Sequence, residues 1–572
     1  MTTVERTFQG VPAAAGVAIA PWVGLEPPAL EPVAPQPSTD RDIDADVERI
    51  RDAIAAAVRD LEALAADVVA DGHSTEAGIF RAQVEMARDP ALLDGARGEL
   101  QRGADPVRAV VAAAAAIAEV LAGLGDPLLA ARATDVRDVG ERIARRLAGL
   151  SDAPTLAGPA IVVADDLTPS LTASLPRDRV LGIVLAGSSP TAHAAILSRA
   201  YGIPAVVGAA EAVRAIRSSA AGTLLAVDGE TGEIVIDPEA TERARFEKAR
   251  AAVDERRERD RQAASEPAVT IDGVDVTLSA NIGSPAEAES AVQLGARGVG
   301  LFRTEFLFLE RDRPPSEEEQ LAAYASVVAA FRGHPVTIRL LDVGGDKPIP
   351  YLPIPREDNP FLGVRALRLA ETQPDVFLTQ LRACYRAAAD GPVKVMAPMV
   401  ADTSDVAVLL DLATRARAQA VEAGHPVGHV QLGVMLEIPA AILTLPSYAP
   451  DIGFASIGTN DLLQYTLAVD RGNPALERYR DPLHPALLSL IRTAVVAADA
   501  AGMELSVCGE MAGDPIGALA LVGLGVRVLS MSPANLAAVR RGIRASSAEV
   551  IRDHALAALG DDGPAAVRGR FA

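Results

Sequence analysis

Cysteine is nearly absent. Only Cys384 and Cys508 occur in 572 residues, which argues against a disulfide framework and fits a reducing cytoplasm. Apolar runs are broken by charges before they reach the roughly 20 residues that a membrane span needs, so direct membrane insertion is not expected. Residues 1–7 lack the basic-then-apolar pattern of a secretory signal. Positive charge is also short. Lys and Arg number 54 against 76 Asp and Glu, a net charge of −22, which opposes nonspecific nucleic-acid binding and suits a small basic protein partner. No P-loop is present.

What the chain does have is length and apolar material. At 49% hydrophobic residues over 572 positions it can fill about three or four cores. Residues 7–24 read as a strand entering a domain, and a Pro-rich link follows over 26–37. From Ser38 to about Leu150 strand formers almost vanish. Stripes such as Ile50, Ile54, Val58, Leu61 and Val107, Val110, Val111, Ala114 predict a helical bundle. Strand-like runs resume at 159–164, 180–186, 203–207, 224–227 and 233–237. The economical account is an α/β domain made of 1–24 and 150–237, interrupted by a helical bundle over 25–149. Residues 238–266 are dense in charge without internal Gly and predict a solvated linker helix. Residues 267–572 alternate strand-like and helical stretches. Seven strands are legible, and a run at Phe361–Val364 would make eight, the count of a (β/α)8 TIM barrel.

Two places carry candidate chemistry. Thr191-Ala192-His193 stands between a buried strand and a short helix ending at Gly202, with Thr191 placed as N-cap. A histidine in a first helical turn meets free N–H groups and a dipole that favour a phosphoryl group, although a histidine capping a surface turn has the same local sequence. In the barrel, the strand ends bring Arg303, Arg339, Arg365, Glu437, Asn460, Asp461, Arg471 and Cys508 to one rim. Converging arginines would repel unless an anion balanced them, and guanidinium suits phosphate and carboxylate. Two carboxylates without a nearby His or Cys pair favour Mg2+ over zinc. Either carboxylate alone could equally serve a rim salt bridge, and a lone buried cysteine could be inert core. A ligand with one phosphate and one carboxylate, such as phosphoenolpyruvate, fits the rim.

Several longer runs carry a resemblance. They are 135–140 (DVRDVG), 166–170 (DLTPS), 300–308 (GLFRTEFLF), 342–347 (DVGGDK), 359–363 (NPFLG), 456–473 (SIGTNDLLQYTLAVDRGN) and 508–513 (CGEMAG). In these the chain resembles enzyme I of the bacterial phosphoenolpyruvate:sugar phosphotransferase system over almost its whole length. The resemblance implies that His193 is phosphorylated by phosphoenolpyruvate and passes the group to the phosphocarrier protein HPr, with release of pyruvate. It further implies that Arg303, Arg339, Arg365, Asn460, Asp461 and Arg471 bind substrate and that Glu437 and Asp461 hold Mg2+. Cys508 would protonate the enolate, and Thr172 would orient the histidine. The 25–149 bundle would dock HPr, and the barrel would form a homodimer in the cytoplasm. Two departures stand out. Residues 188–193 read SSPTAH where the family carries two glycines and then Thr-Ser-His, and Gln83 replaces a histidine common in the docking bundle. The alternatives are an enzyme of the phosphoenolpyruvate synthase and pyruvate phosphate dikinase kind, which would need an ATP-grasp domain, and a non-catalytic regulatory paralogue.

Overall fold

The computed structural model describes residues 6–25, 42–70, 74–123, 127–150, 156–187, 193–309, 311–345, 349, 351–352, 354, 357–470 and 473–571. The chain divides into two compact units, 1–258 and 259–572.

In the first unit, residues 7–24 form three short strands rather than one: Thr7–Gln9, Val11–Ala14 and Val17–Gly24. Gly16, at φ +136°, sits at the break between the second and third. Together with Ala160–Ala164, Val180–Leu185, Ala205–Val207, Leu224–Asp228 and Glu233–Ile236 they make an eight-stranded mixed sheet. Its centre, from Val17–Gly24 through Ala205–Val207, is parallel, and antiparallel strands flank it. The short helix His193–Tyr201 follows Val180–Leu185 and stops at Gly202, which takes φ +65°.

Five helices interrupt this sheet: Ile43–Ala70, Ser74–Arg88, Pro90–Gln101, Pro106–Gly123 and Pro127–Leu147. Ile50, Val58 and Leu61 are buried as their stripe predicts, with Phe80, Val110 and Ile143 in the same core. The second stripe is turned, because Ala109, Ala113 and Ala118 join Val110 and Ala114 on the buried face. Pro106–Gly123 is, among the described residues, the one helix long and apolar enough to cross a membrane. Here one face of it, through Ala109, Val110, Ala113, Ala114 and Ala118, packs inside the bundle, while Val120 is exposed.

The charged helix spans Ala240–Gln262 and is not solvated all round. Phe246 is buried with Val17, Ala226 and Val235, and Ala249 and Val253 pack beside it. The mostly charged sequence hides this short apolar seam.

The second unit is a closed barrel of eight parallel strands. These are β1 (Asp275–Ile282), β2 (Val299–Phe302), β3 (Val336–Arg339), β4 (Val393–Ala397), β5 (Val430–Leu436), β6 (Phe454–Ile457), β7 (Glu504–Val507) and β8 (Val528–Met531). β8 pairs with β1 and closes the ring. The TIM barrel expected from the alternation is therefore present, but its eighth strand is not the one proposed. Phe361–Val364 lies in a loop, where Pro360 opens a 3-10 turn and the Val364 N–H donates to Glu357 at 3.1 Å. Proline removes a ladder donor, whereas β8 was masked by the inward polar Ser530 and the exposed Arg527.

Candidate functional site

The C-terminal ends of the barrel strands open into a cavity of about 620 Å3. Arg303 lines it from the end of β2, Arg339 from β3, Glu437 just past β5, and Cys508 just past β7. Asn460 and Asp461 come from the first turn of the helix Thr459–Leu467, which follows β6. Position explains the set. A parallel barrel ends all its strands at one rim, so residues distant in sequence meet there.

The electrostatics differ from a ring of bare arginines. Arg339 is buried, with Nη2 2.7 Å from Glu305 and Nη1 3.2 Å from Asp342. Arg365, also buried, holds Asp342 through Nη2 at 2.9 and 3.1 Å and lies 3.7 Å from Asp461. Burial alone would lower both guanidinium pKa values. The neighbouring carboxylates override it and raise them above the ordinary range. Glu305 and Asp342 thus already supply much of the balance that sequence reasoning assigned to ligand. Arg303 remains exposed at the rim.

Glu437 is 1% exposed, and its Oε1 accepts the Met399 N–H at 2.7 Å. Burial, then the charges of Asp461 and Asp342, push its pKa up to about 8 against the opposing pull of Arg339. Met399 takes φ +59°, a conformation a non-glycine residue adopts at some expense. Gly458 approaches so closely that a Cβ there would lie 3.1 Å from Glu437 Oε2. Asn460 and Glu510 bond reciprocally, at 3.2 Å from Asn460 Nδ2 and 3.1 Å to its Oδ1.

Cys508 is 2% exposed, packed with Leu301, Met396, Met435 and Phe454. Burial raises its pKa to about 11, and the Glu437 charge pushes the same way. Its carbonyl accepts Asn281 Nδ2 at 2.9 Å, and Ser530 donates to Asn281 Oδ1 at 2.6 Å.

His193 opens its helix in the first unit, while its side chain, Thr191 and the loop before it lie outside the described residues, as do Arg471, Asp346 and Lys347. Thr172 is buried, and its hydroxyl donates to the Thr168 carbonyl at 2.9 Å. Gln83 is buried in the bundle and donates to Asp138 at 2.9 Å. Sequence reasoning missed Met399, Asn281, Ser530 and Tyr465. Tyr465 ties the loop before Arg365 by donating to the Phe361 carbonyl at 2.6 Å. Only Tyr465 and Ser530 left a signal, as polar groups inside otherwise apolar runs.

A barrel with this rim, in one chain with an α/β unit that carries an inserted bundle, defines a class, that of phosphoenolpyruvate-utilising enzymes. The family model for the N-terminal domain of these enzymes matches residues 9–132, that for the mobile domain 156–232, and that for the phosphoenolpyruvate-binding domain 257–548. Within the class the chain belongs to the phosphoenolpyruvate-protein phosphotransferase family. It is 43% identical over 548 residues to the phosphoenolpyruvate-protein phosphotransferase of Streptomyces coelicolor, covering 94% of this chain and 93% of that protein. The one from Geobacillus stearothermophilus is 37% identical over 547 residues, with the same coverage. A multiphosphoryl transfer protein of Rhodobacter capsulatus is 43% identical over 521 residues, which span 90% of this chain but 62% of that longer protein.

Proposed function

We propose that the protein moves the phosphoryl group of phosphoenolpyruvate to His193, releases pyruvate, and hands the group to HPr, the first step of sugar phosphotransferase uptake in the cytoplasm. The observation that carries this reading is the meeting of Arg303, Arg339, Asn460, Cys508, Glu437 and Asp461 in one cavity. Arg303, Arg339, Asn460 and Arg471 bind the substrate's phosphate and carboxylate, with Arg365 beside the phosphate. Arg339 and Arg365 do so as cations already fixed in place by Glu305 and Asp342.

Mg2+ fits the donor set. Glu437 is driven towards its protonated form by burial and by the charges of Asp461 and Asp342; Glu437 and Asp461 would hold a divalent cation, whose charge would relieve that repulsion. When bound there, it stabilises charge on the phosphate and enolate oxygens. The protein's own groups do the rest. His193, oriented by Thr172, attacks phosphorus through Nε2. The bond from phosphorus to the enol oxygen breaks, and its electron pair leaves on the enolate. The Cys508 thiol gives its proton to the enolate's methylene carbon, forming pyruvate, and the thiolate is reprotonated from solvent.

In this reading 1–24 and 150–237 form the phosphohistidine domain, 25–149 the HPr-binding domain, 238–266 the linker helix and 267–572 the substrate barrel. Two copies associate through the barrel, where Leu443 and Val496, on packed helices, are 65% and 50% exposed. Mixing the purified protein with phosphoenolpyruvate, Mg2+ and HPr tests the reading. Pyruvate should form in proportion to phosphorylated HPr and without nucleotide. Dependence on ATP, or no pyruvate, would refute it.

A further inference from the structure

Gln380 is a buried polar group that the proposed reaction does not use. It lies on the helix Pro374–Ala387, outside the barrel ring, and its side chain is fully buried. A primary amide carries two donors and two acceptor lone pairs, and leaving them unmet in an apolar core is costly. Gln380 meets them in a particular way. Its Oε1 accepts the Leu341 N–H at 2.9 Å. Its Nε2 donates to Thr304 Oγ1 at 3.0 Å and to the Tyr324 hydroxyl at 3.2 Å. Thr304 in turn donates to the Arg339 carbonyl at 3.0 Å, and Tyr324 donates to Gln320 at 3.2 Å.

The directions are mutually consistent. Leu341 offers only an N–H, so the amide oxygen must face it. Both hydroxyls spend their protons elsewhere, so each can only accept from Nε2. The amide is therefore locked in one orientation.

Two of its partners, Thr304 and Leu341, lie where the strand ladder stops. The last β2–β3 pair is Phe302 with Ile338. Beyond it Thr304 follows Arg303, and Leu341 sits between Arg339 and Asp342. We infer that Gln380 is a positioning residue, one buried amide that clamps the ends of β2 and β3 and so fixes the spacing of the Arg303 and Arg339 guanidinium groups. The clamp replaces ladder bonds at the point where the backbone must leave the barrel to present its cations. For the identity of the ligand, the inference rests on the function proposed above.

The test uses the full-length chain with Gln380→Met, which removes the amide at similar volume, with Thr304→Val and Thr304→Ser, and with the double variant Gln380→Met/Thr304→Val. Readouts are KM and kcat for phosphoenolpyruvate, the Kd of inorganic phosphate in the presence of Mg2+, and the thermal midpoint. Misplacing a binding group by a fraction of an ångström should raise KM and the phosphate Kd about tenfold in Gln380→Met, with a smaller change in kcat. Thr304→Val should move the same way, and Thr304→Ser, which keeps the hydroxyl, should stay near wild type. The double variant should be no worse than Thr304→Val, which already cuts both the bond to the Arg339 carbonyl and the link through Gln380, whereas Gln380→Met leaves the first in place. A lowered thermal midpoint with KM and phosphate Kd unchanged would overturn the inference and leave Gln380 a packing residue. So would effects that multiply in the double variant. A wild type that binds phosphate yet consumes no phosphoenolpyruvate would refute the proposed function alone, and the phosphate Kd values would still decide the clamp.

Discussion

Cys508 keeps its proton because of where β7 sets it down, among Leu301, Met396, Met435 and Phe454. The folded pKa of about 11 lies above that of an exposed thiol. The neutral thiol therefore favours the folded state below the unfolded pKa, and that contribution fades as pH rises through the folded value. For a proton donor the consequence is simple. Pyruvate formation limited by this thiol should stay level from about pH 7 to 9, where an ordinary cysteine would already titrate. Cys508→Ser should slow it by about 100-fold, since a hydroxyl is the poorer acid. Steady-state pyruvate release across that pH range checks both. A rate falling between pH 8 and 9, or an unimpaired serine variant, would return Cys508 to inert core. Arg303, Arg339, Glu437, Asn460, Asp461 and Cys508 were legible because each stands at or just past the end of an apolar strand, whereas Arg365 follows a loop that only resembles one. Met399 and Asn281 were not. The role of Met399 is a backbone N–H presented by an unusual φ, and that of Asn281 is a bond across the barrel, neither of which has a local pattern.

At the scale of elements, small residues decide how closely the bundle helices approach. Gly140 on Pro127–Leu147 faces Ala114 on Pro106–Gly123, and a Cβ at Gly140 would lie 2.3 Å from the Ala114 Cβ. Gly140→Val should therefore destabilise the bundle by about 1–3 kcal/mol through overpacking. Denaturant unfolding followed by far-UV circular dichroism checks this, and an unchanged midpoint would show that the helices can part without penalty. The bundle itself was legible from its stripe and its lack of strand formers. Which face of Pro106–Gly123 turns inward was less so, because alanines blur the period. The same physics separates the barrel's seven legible strands from the eighth. A run such as Phe361–Val364 looks like a strand until Pro360 removes its ladder donor. β8 hides because its inward face carries Ser530, for which Gly300 leaves room beside it, a Cβ there lying 2.4 Å from Ser530 Oγ.

For the whole molecule, the account separates donor from acceptor. His193 belongs to the unit 1–258, and every described rim residue belongs to 259–572. The net charge of −22 adds a field that favours a basic protein partner over nucleic acid. If phosphoenolpyruvate is bound by one unit and its phosphoryl group is carried by the other, the transfer must leave a covalent trace on the first. Intact-protein mass spectrometry after addition of phosphoenolpyruvate and Mg2+, with peptide mapping, reads that trace directly. The account predicts a single acid-labile phosphoryl group on His193, matched by pyruvate, removed by HPr and absent from His193→Ala. A phosphoryl group on any other residue, or one that persists in His193→Ala, would contradict it.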